Sequence, residues 1–344
     1  MNRWWHAGIA LACALSAHAT EPAAPETPVV EDSWRLRALV VSFENDNFFS
    51  GSDRHYTQGA RVTWLYDAGA RSWATEMARS TLRLFTQRVE DSEAKLAVSF
   101  GQDMFTPENT STATLIPTDR PYAAWSYLAA GFHVIDVAPL DAVGVKSRGT
   151  SLIAEVSLGM VGPAAQGAQL QNAWHDLIKV ERSHGWPNQL RDEPGLNLAF
   201  EWRRKFWHRG WIDAVPRAAL VLGNVQTHAS VGGTVRIGPN LPNDFGHDLI
   251  RAASGNVART SQFSAYGFAS ADARLVGRNI FLDGNTWRDS HAVRKRPVVA
   301  DFNTGFALNW PRFRLIYTQN YRTTDFYGQP RRDVFGSVSL IFLF

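Results

Sequence analysis

The chain has one cysteine in 344 residues, Cys13, and it lies within the N-terminal apolar run Ala7 to Leu15. Arg3 precedes that run and Ala17-His18-Ala19 follows it, which is the charged, hydrophobic and small-residue order of a secretory signal peptide. Residues 1–19 are therefore expected to be removed, leaving a mature chain that starts near Thr20. The stretch Ala10-Leu11-Ala12-Cys13 is a poor lipoprotein box, because too little apolar sequence precedes it. A mature chain without cysteine excludes disulfides, thiol nucleophiles and cysteine-based zinc sites. It suits a protein that crosses an oxidising compartment unfolded.

Charge of one sign is also scarce. Lys and Arg number 35 against 32 Asp and Glu, a formal net charge of +3 that falls to +2 once Arg3 is lost. No global field points to nucleic acid. The mature sequence has no run of the roughly 18 apolar residues that a membrane helix requires. Four motifs are missing as well: a Gly-x-Ser-x-Gly elbow, a His-Glu-x-x-His zinc helix, a Gly-rich phosphate loop and an EF-hand loop. Their absence weighs against soluble serine hydrolases, zincins and nucleotide enzymes.

What the sequence does hold is aromatic side chains and short alternating runs. Thirteen Trp, twenty Phe and eight Tyr fit the aromatic girdles of an all-β, outer-membrane barrel. Period-2 patterning predicts twelve antiparallel strands, near 34–46, 56–67, 93–105, 121–136, 149–161, 195–208, 211–224, 227–238, 261–274, 297–309, 312–325 and 333–344. Twelve is an even number, as a single-chain bacterial barrel requires. The segment 276–283 reads as a possible extra short strand. Residues 20–33, rich in Pro and Glu, read as a flexible lead-in, so 34–344 forms one barrel domain. The last strand ends on the aromatic Phe344, which resembles the assembly signal of bacterial outer-membrane barrels.

With both termini periplasmic, the connections 47–55, 106–120, 162–194, 225–226, 275–296 and 326–332 face the cell exterior. Four of the longest connections fall on that side, as expected of such barrels. The long connection 239–260 falls on the periplasmic side and has no evident reason in the sequence. Within the third exterior loop, Leu170, Trp174, Leu177 and Ile178 recur at helical spacing, predicting a helix from Gly167 to Ser183 before the terminator Gly185-Trp186-Pro187. Gln171 and His175 share one face of it, and Lys179 and Arg182 continue that ridge. Glu181 lies about 120° around an ideal helix from His175, so a shared role requires the helix to end or bend there.

A dense polar cluster crosses the hairpin between the first two strands: Glu44-Asn45-Asp46-Asn47, then Asp53-Arg54-His55-Tyr56-Thr57. By alternation Thr57 faces with Gly59, Arg61 and Thr63, towards the lumen or rim rather than into acyl chains. His175 can act as a general base near neutral pH, and the carboxylates Asp46 and Glu181 can bind a hard cation such as calcium or orient the imidazole. Together these groups supply what ester hydrolysis needs, an activated water and a positive centre for the oxyanion. Each alone has a plainer reading: a solvated loop histidine, an Asx turn at Asn45 and Asp46, a surface charge at Glu181, a lumenal hydroxyl at Thr57. Gln102-Asp103 and Asp119-Arg120-Pro121-Tyr122 read more readily as a rim salt bridge and a strand start.

Taken in order, Glu44-Asn45-Asp46, Asp53-Arg54-His55-Tyr56-Thr57-x-Gly59, Gly101-Gln102-Asp103, Asp119-Arg120-Pro121-Tyr122 and Gly162-Pro163 followed by Gln171-Asn172-x-x-His175 with Glu181 resemble the outer-membrane lipid A 3′-O-deacylase family. The resemblance runs from about residue 38 to Phe344, and its later strands match mainly as barrel pattern. It implies a calcium-dependent esterase site on the outer rim that releases the 3′-linked acyloxyacyl group of lipid A. Carried over, it places Asn45, Asp46, Thr57, His175 and Glu181 in the active site. His175 is then the base for water, and Asp46 and Glu181 hold the cation or orient that base. Gln171, Lys179 and Arg182 are candidates for holding the substrate. One departure concerns the second exterior loop, since Thr106 to Thr118 contains no Lys or Arg where family members carry basic residues. Arg294, Lys295 and Arg296 are possible substitutes. The chain is expected to act as a monomer in the outer membrane, with its site facing the exterior. The competing readings are a phospholipid deacylase and a non-enzymatic barrel, either a narrow pore or a structural or adhesive protein.

Overall fold

The computed structural model describes residues 34–46, 55–68, 72–83, 92–137, 149–246 and 260–344, so the expected leader and lead-in lie outside the described residues. Strands β1 (Arg35–Asn45), β2 (His55–Asp67), β3 (Glu93–Thr106), β4 (Ala123–Val137), β5 (Gly149–Val161) and β6 (Glu193–Lys205) pair in sequence, each antiparallel to the next. After the two-residue β7 (His208–Arg209) come β8 (Ile212–Gly223), β9 (Gln226–Ile237), β10 (Ser264–Asn279), β11 (Val298–Trp310), β12 (Phe313–Arg322) and β13 (Asp333–Leu343). The ring closes twice over. β6 pairs with β8, and β1 pairs with β13 from Ala38↔Leu343 to Asn45↔Gly336. Apart from the β7 stub there are twelve staves, as the alternation predicts. Closure gives each of the twelve staves two hydrogen-bonding neighbours, the only way a sheet can stand in lipid.

Alternation sorts the side chains between lipid and lumen. Val98, Phe100, Leu128 and Leu158 point outward and are exposed, while inward positions carry charge. Arg61 pairs with Glu155 at 2.6 Å, Arg217 with Asp272, and Asp301 accepts from both Arg274 and Arg322 at 2.8 and 2.7 Å. Near the periplasmic rim, Phe263, Trp310, Phe313 and Phe342 contact one another in a chain, with successive ring centroids 5.4–5.7 Å apart. Aromatic rings suit the level where apolar surface gives way to headgroups.

Two elements differ from expectation. The segment 276–283 is no separate strand, because β10 runs to Asn279 and is followed by the single turn α3 (Ile280–Asp283). The Asn279 side chain accepts from the Phe281 N–H and caps that turn. Ile280 and Phe281 are fully buried, and Phe281 stacks on Phe105 at 4.0 Å. The other element is α1 (Trp73–Leu82), between β2 and β3, which packs against β3 and β4 with Trp73 edge-on to Phe132 at 5.4 Å. Period-2 patterning places no element between these two strands.

The periplasmic connection that had no evident reason has one in three dimensions. Its described part, residues 238–246, turns into the barrel end, where Leu241 and Phe245 are buried. Asp244 accepts from Arg236 at 2.5 Å and from Arg314 at 3.0 Å, tying the connection to β9 and β12. Burial by itself raises the Asp244 pKa, but Arg314 and Arg236 outweigh it and hold the carboxyl well below the usual carboxylate range. The described part is thus a plug pinned into the barrel end by charge. Removing one partner of such a buried group commonly costs about 3–5 kcal/mol. Asp244→Asn is expected to lower the temperature at which the barrel converts from its fast to its slow electrophoretic form, and an unchanged transition would show that the plug does not carry stability.

Candidate active site

The site is built on the outer wall of the barrel, just below the exterior rim. On leaving β5 the chain turns at Gly162, whose φ of +100° and contact with the Arg191–Asp192 backbone suit glycine alone. A short 3-10 turn, Pro163–Ala165, then lies on the wall. The Ala165 carbonyl accepts from Gln102 Nε2 at 2.6 Å and from Ser126 Oγ at 2.9 Å. Helix α2 (Gly167–Ile178) begins against the same surface. A Cβ on Gly167 would meet Ala124 Cβ at 2.4 Å and the Trp186 ring at 2.8 Å, so only glycine lets the helix come this close.

Helix α2 buries Gly167, Gln171 and His175, one face at helical spacing. It ends earlier than Ser183, because Lys179 takes the left-handed conformation (φ 59°) and the chain folds back, with Val180 N–H donating to the His175 carbonyl at 2.9 Å. The reversal meets the condition that the sequence set for Glu181. His175 Nδ1 lies 2.6 Å from the Glu181 carbonyl oxygen. A backbone carbonyl only accepts, so Nδ1 carries the proton in this contact. It is the backbone of Glu181 that holds the imidazole. Its carboxylate is 72% exposed and stands 3.5 Å from His184 Nε2.

Gln171 is fixed from the other side. Trp186 Nε1 donates to Gln171 Oε1 at 2.7 Å, both residues are buried, and Gln171 Nε2 is a buried donor with no partner among the described residues. Trp186 itself packs on Tyr122 at 5.1 Å. The sequence marked Trp186 only as part of a helix terminator, and nothing local signals its second task.

The remaining groups come from the strand ends. Phe43 of β1 meets Trp174 of α2 with ring centroids 6.0 Å apart, so α2 packs beside the end of β1, the strand that leads to Asn45 and Asp46. Asn45 Nδ2 donates to the Thr57 carbonyl at 3.2 Å, and Asp46 is buried. Thr57 does not keep the parity expected of it. A bulge between Tyr56 and Gln58 sets it out of register, and its hydroxyl meets Thr106 Oγ1 at 2.7 Å. Thr106 alternates with Gln102 and Met104, whose side of the wall faces α2, so the bulge re-aims Thr57 from the lumen to the site. Asn47 to Arg54 lie outside the described residues.

Of the basic candidates, Arg182 is engaged by Asp176 through two bonds of 2.7 and 2.6 Å, a pairing that lowers the Asp176 pKa and raises that of Arg182. Lys179 is exposed at the helix end. Lys295 pairs with Asp283 at 2.7 Å, while Arg294 and Arg296 both stand over the Tyr327 ring, at 4.6 and 4.7 Å. Among the described residues no group of three or more His, Asp or Glu side chains is placed to hold a metal ion. Asp46 is a hard oxygen donor of the kind calcium takes, and the Glu181 carboxylate is turned to solvent.

The geometry can now be set beside known proteins. The family described as outer membrane protein LpxR matches residues 8–344. The chain belongs to that family. The solved structure of LpxR from Salmonella typhimurium is 18% identical, covers 89% of this chain and 100% of its own, and superposes with a TM-score of 0.68, so the barrel fold is shared. The translocator domain of the autotransporter NalP from Neisseria meningitidis (8% identity, 92% of this chain and 91% of that one, TM-score 0.40) is a more distant barrel. So is the β domain of the Bordetella autotransporter BrkA (11%, 90% and 99%, TM-score 0.42). No curated protein sequence matches. Membership of the LpxR family makes the chain a multi-pass outer-membrane protein of the lipid A deacylase class.

His175 is the group whose removal tests the site most directly. Losing a general base commonly costs about 10² to 10⁴ in rate. In purified protein, His175→Ala is expected to lose activity on that scale while the barrel stays heat-modifiable, and near-full activity would rule out the base.

Proposed function

We propose that this LpxR-family chain is an outer-membrane esterase that removes the 3′-linked acyloxyacyl group of lipid A through a water activated by His175. The observation that carries the proposal is the 2.6 Å contact between His175 Nδ1 and the Glu181 carbonyl on a buried imidazole. With Nδ1–H donated to that carbonyl, Nε2 accepts the proton of a water as its oxygen attacks the ester carbonyl. The same proton is then passed to the departing sugar oxygen, giving a carboxylic acid and an alcohol. Gln171 Nε2, held in place by Trp186, is a donor for a substrate oxygen. Asn45 and Thr57 fix the two strand ends that flank the attacked carbon. Calcium bound at Asp46 would supply a positive centre for the developing oxyanion.

Head-group contacts fall first to Lys179, because Arg182 would have to leave Asp176 to make one. A pore is disfavoured by a lumen crossed by ion pairs, with the segment around Asp244 bonded to Arg236 and Arg314 at one end. Phospholipid deacylation remains the second hydrolytic reading, and one measurement separates the two.

Lipid A from cells expressing the chain is expected to lose the mass of the 3′-linked acyloxyacyl group in mass spectrometry, relative to cells without it. Lysophospholipid accumulation with intact lipid A would favour the second reading, and no change in either lipid would end the esterase proposal. With purified protein, EDTA or EGTA is expected to suppress the reaction and added calcium to restore it. Full activity after exhaustive chelation would remove the cation from the mechanism.

A further inference from the structure

Helix α2 is amphipathic in the sense opposite to that of a helix on a soluble protein. Its polar residues Gln171 and His175 face the protein, whereas Leu170, Trp174, Leu177 and Ile178 face outward and are 50%, 38%, 72% and 41% exposed. These four recur at i, i+4, i+7 and i+8, one continuous stripe. In water such a stripe would be an uncovered apolar patch of the kind that marks an interaction surface.

The position of the helix identifies what covers the stripe. Gln102 and Ser126, which anchor the segment leading into α2, are the next outward-facing positions after Phe100 and Leu128, and those two are 51% and 64% exposed on the lipid-facing wall. Trp174 rests on Phe43, an outward residue of β1. The helix therefore lies beside the barrel, its outer stripe continuous with the lipid-facing band. The barrel mouth is occupied by other segments: His291 Nε2 donates to the Asp119 carbonyl at 2.7 Å, Arg331 pairs with Glu108 at 2.6 Å, and Tyr327 N–H bonds the Arg294 carbonyl at 2.9 Å. These contacts lace the second, fifth and sixth exterior loops together over the lumen.

We infer that α2 is an in-plane membrane helix whose stripe of Leu170, Trp174, Leu177 and Ile178 packs against acyl chains of the outer leaflet, and that the cleft between α2 and the wall opens sideways into that leaflet. An amphipathic helix of this kind settles at the boundary of headgroups and chains. The same placement turns Gln171 and His175 towards an ester at that boundary. The acyl-chain contact follows from the stripe alone; only the use of the cleft for substrate entry rests on the deacylase reading.

The test uses the mature chain, reconstituted in vesicles of phosphatidylethanolamine and phosphatidylglycerol, with single cysteines carrying a nitroxide at Leu177, at Leu158 on the lipid-facing wall and at Ser111 in an exposed exterior loop. Relaxation by oxygen, which concentrates in hydrocarbon, is compared with relaxation by a water-soluble nickel chelate. The Leu177 label is expected to follow Leu158, favouring oxygen. Behaviour like that of Ser111 would place α2 in water and overturn the inference. Spin–spin broadening at Leu177 that disappears on dilution with unlabelled protein would mean that a second copy covers the stripe, and would also overturn it. Leu170→Glu with Leu177→Glu is expected to lower turnover of lipid A in vesicles by about tenfold or more, since each charge opposes burial in chains. Undiminished turnover would reject sideways entry. If the Leu177 label reports lipid and the parent protein deacylates nothing, the membrane placement stands and the enzymatic reading alone fails.

Discussion

One carbonyl oxygen holds the site to the barrel. On a lipid-facing wall a polar side chain has no water to turn to, so an amide at Gln102 and a hydroxyl at Ser126 are tolerated only if protein covers them. The Ala165 carbonyl does so, accepting from both. That cover fixes where α2 starts, the close approach at Gly167 fixes its height above the wall, and the reversal at Lys179 returns the Glu181 carbonyl to His175. Placed in this way, the imidazole has its tautomer chosen by a backbone group rather than by an acid. A carbonyl does not titrate, so its hold on Nδ1 does not depend on the pH around the cell.

The lumen obeys the opposite rule. Buried there, charges are acceptable only in pairs, and they come in pairs that bridge strands: Arg61 of β2 with Glu155 of β5, Arg274 of β10 and Arg322 of β12 on Asp301 of β11. Between them a cavity of ≈ 120 Å³ remains, lined mostly by polar side chains. It is room for water, and Phe105, stacked on Phe281, is among the residues that line it. Polarity inside a barrel is therefore no signature of transport. Here it cross-braces the wall on which the site stands.

Much of this could be read from the chain. Alternation over runs such as Val334 to Phe344 gave the staves to within a few residues, because lipid on one side and lumen on the other enforce period 2. The polar hairpin and the Gln171/His175 face were legible for the same reason, as departures from that pattern. Three things were hidden. The bulge at Thr57 adds a residue without marking the sequence, so parity counted from Gly59 does not carry through to it. Glu181 attracted notice for its carboxylate, while the atom that touches His175 belongs to its backbone. Trp186 meets Gln171 only after fifteen residues of chain have turned over the wall, a closure that no local pattern records.

The seam between β1 and β13 has a consequence of its own. Ala38 pairs with Leu343, and Phe344 N–H donates to the Arg37 carbonyl at 2.9 Å, so the first strand acquires its second neighbour only from the last residues of the chain. Contacts of such sequence separation are the slowest to form. Until they do, β1 is an open edge, and it is β1 that ends in Asn45 and Asp46. The rim of the site thus becomes rigid only when the ring is complete, a step that in a barrel coincides with burial in the bilayer. A chain still crossing the periplasm carries every residue of the site without having assembled it, which would spare the lipids it passes on the way.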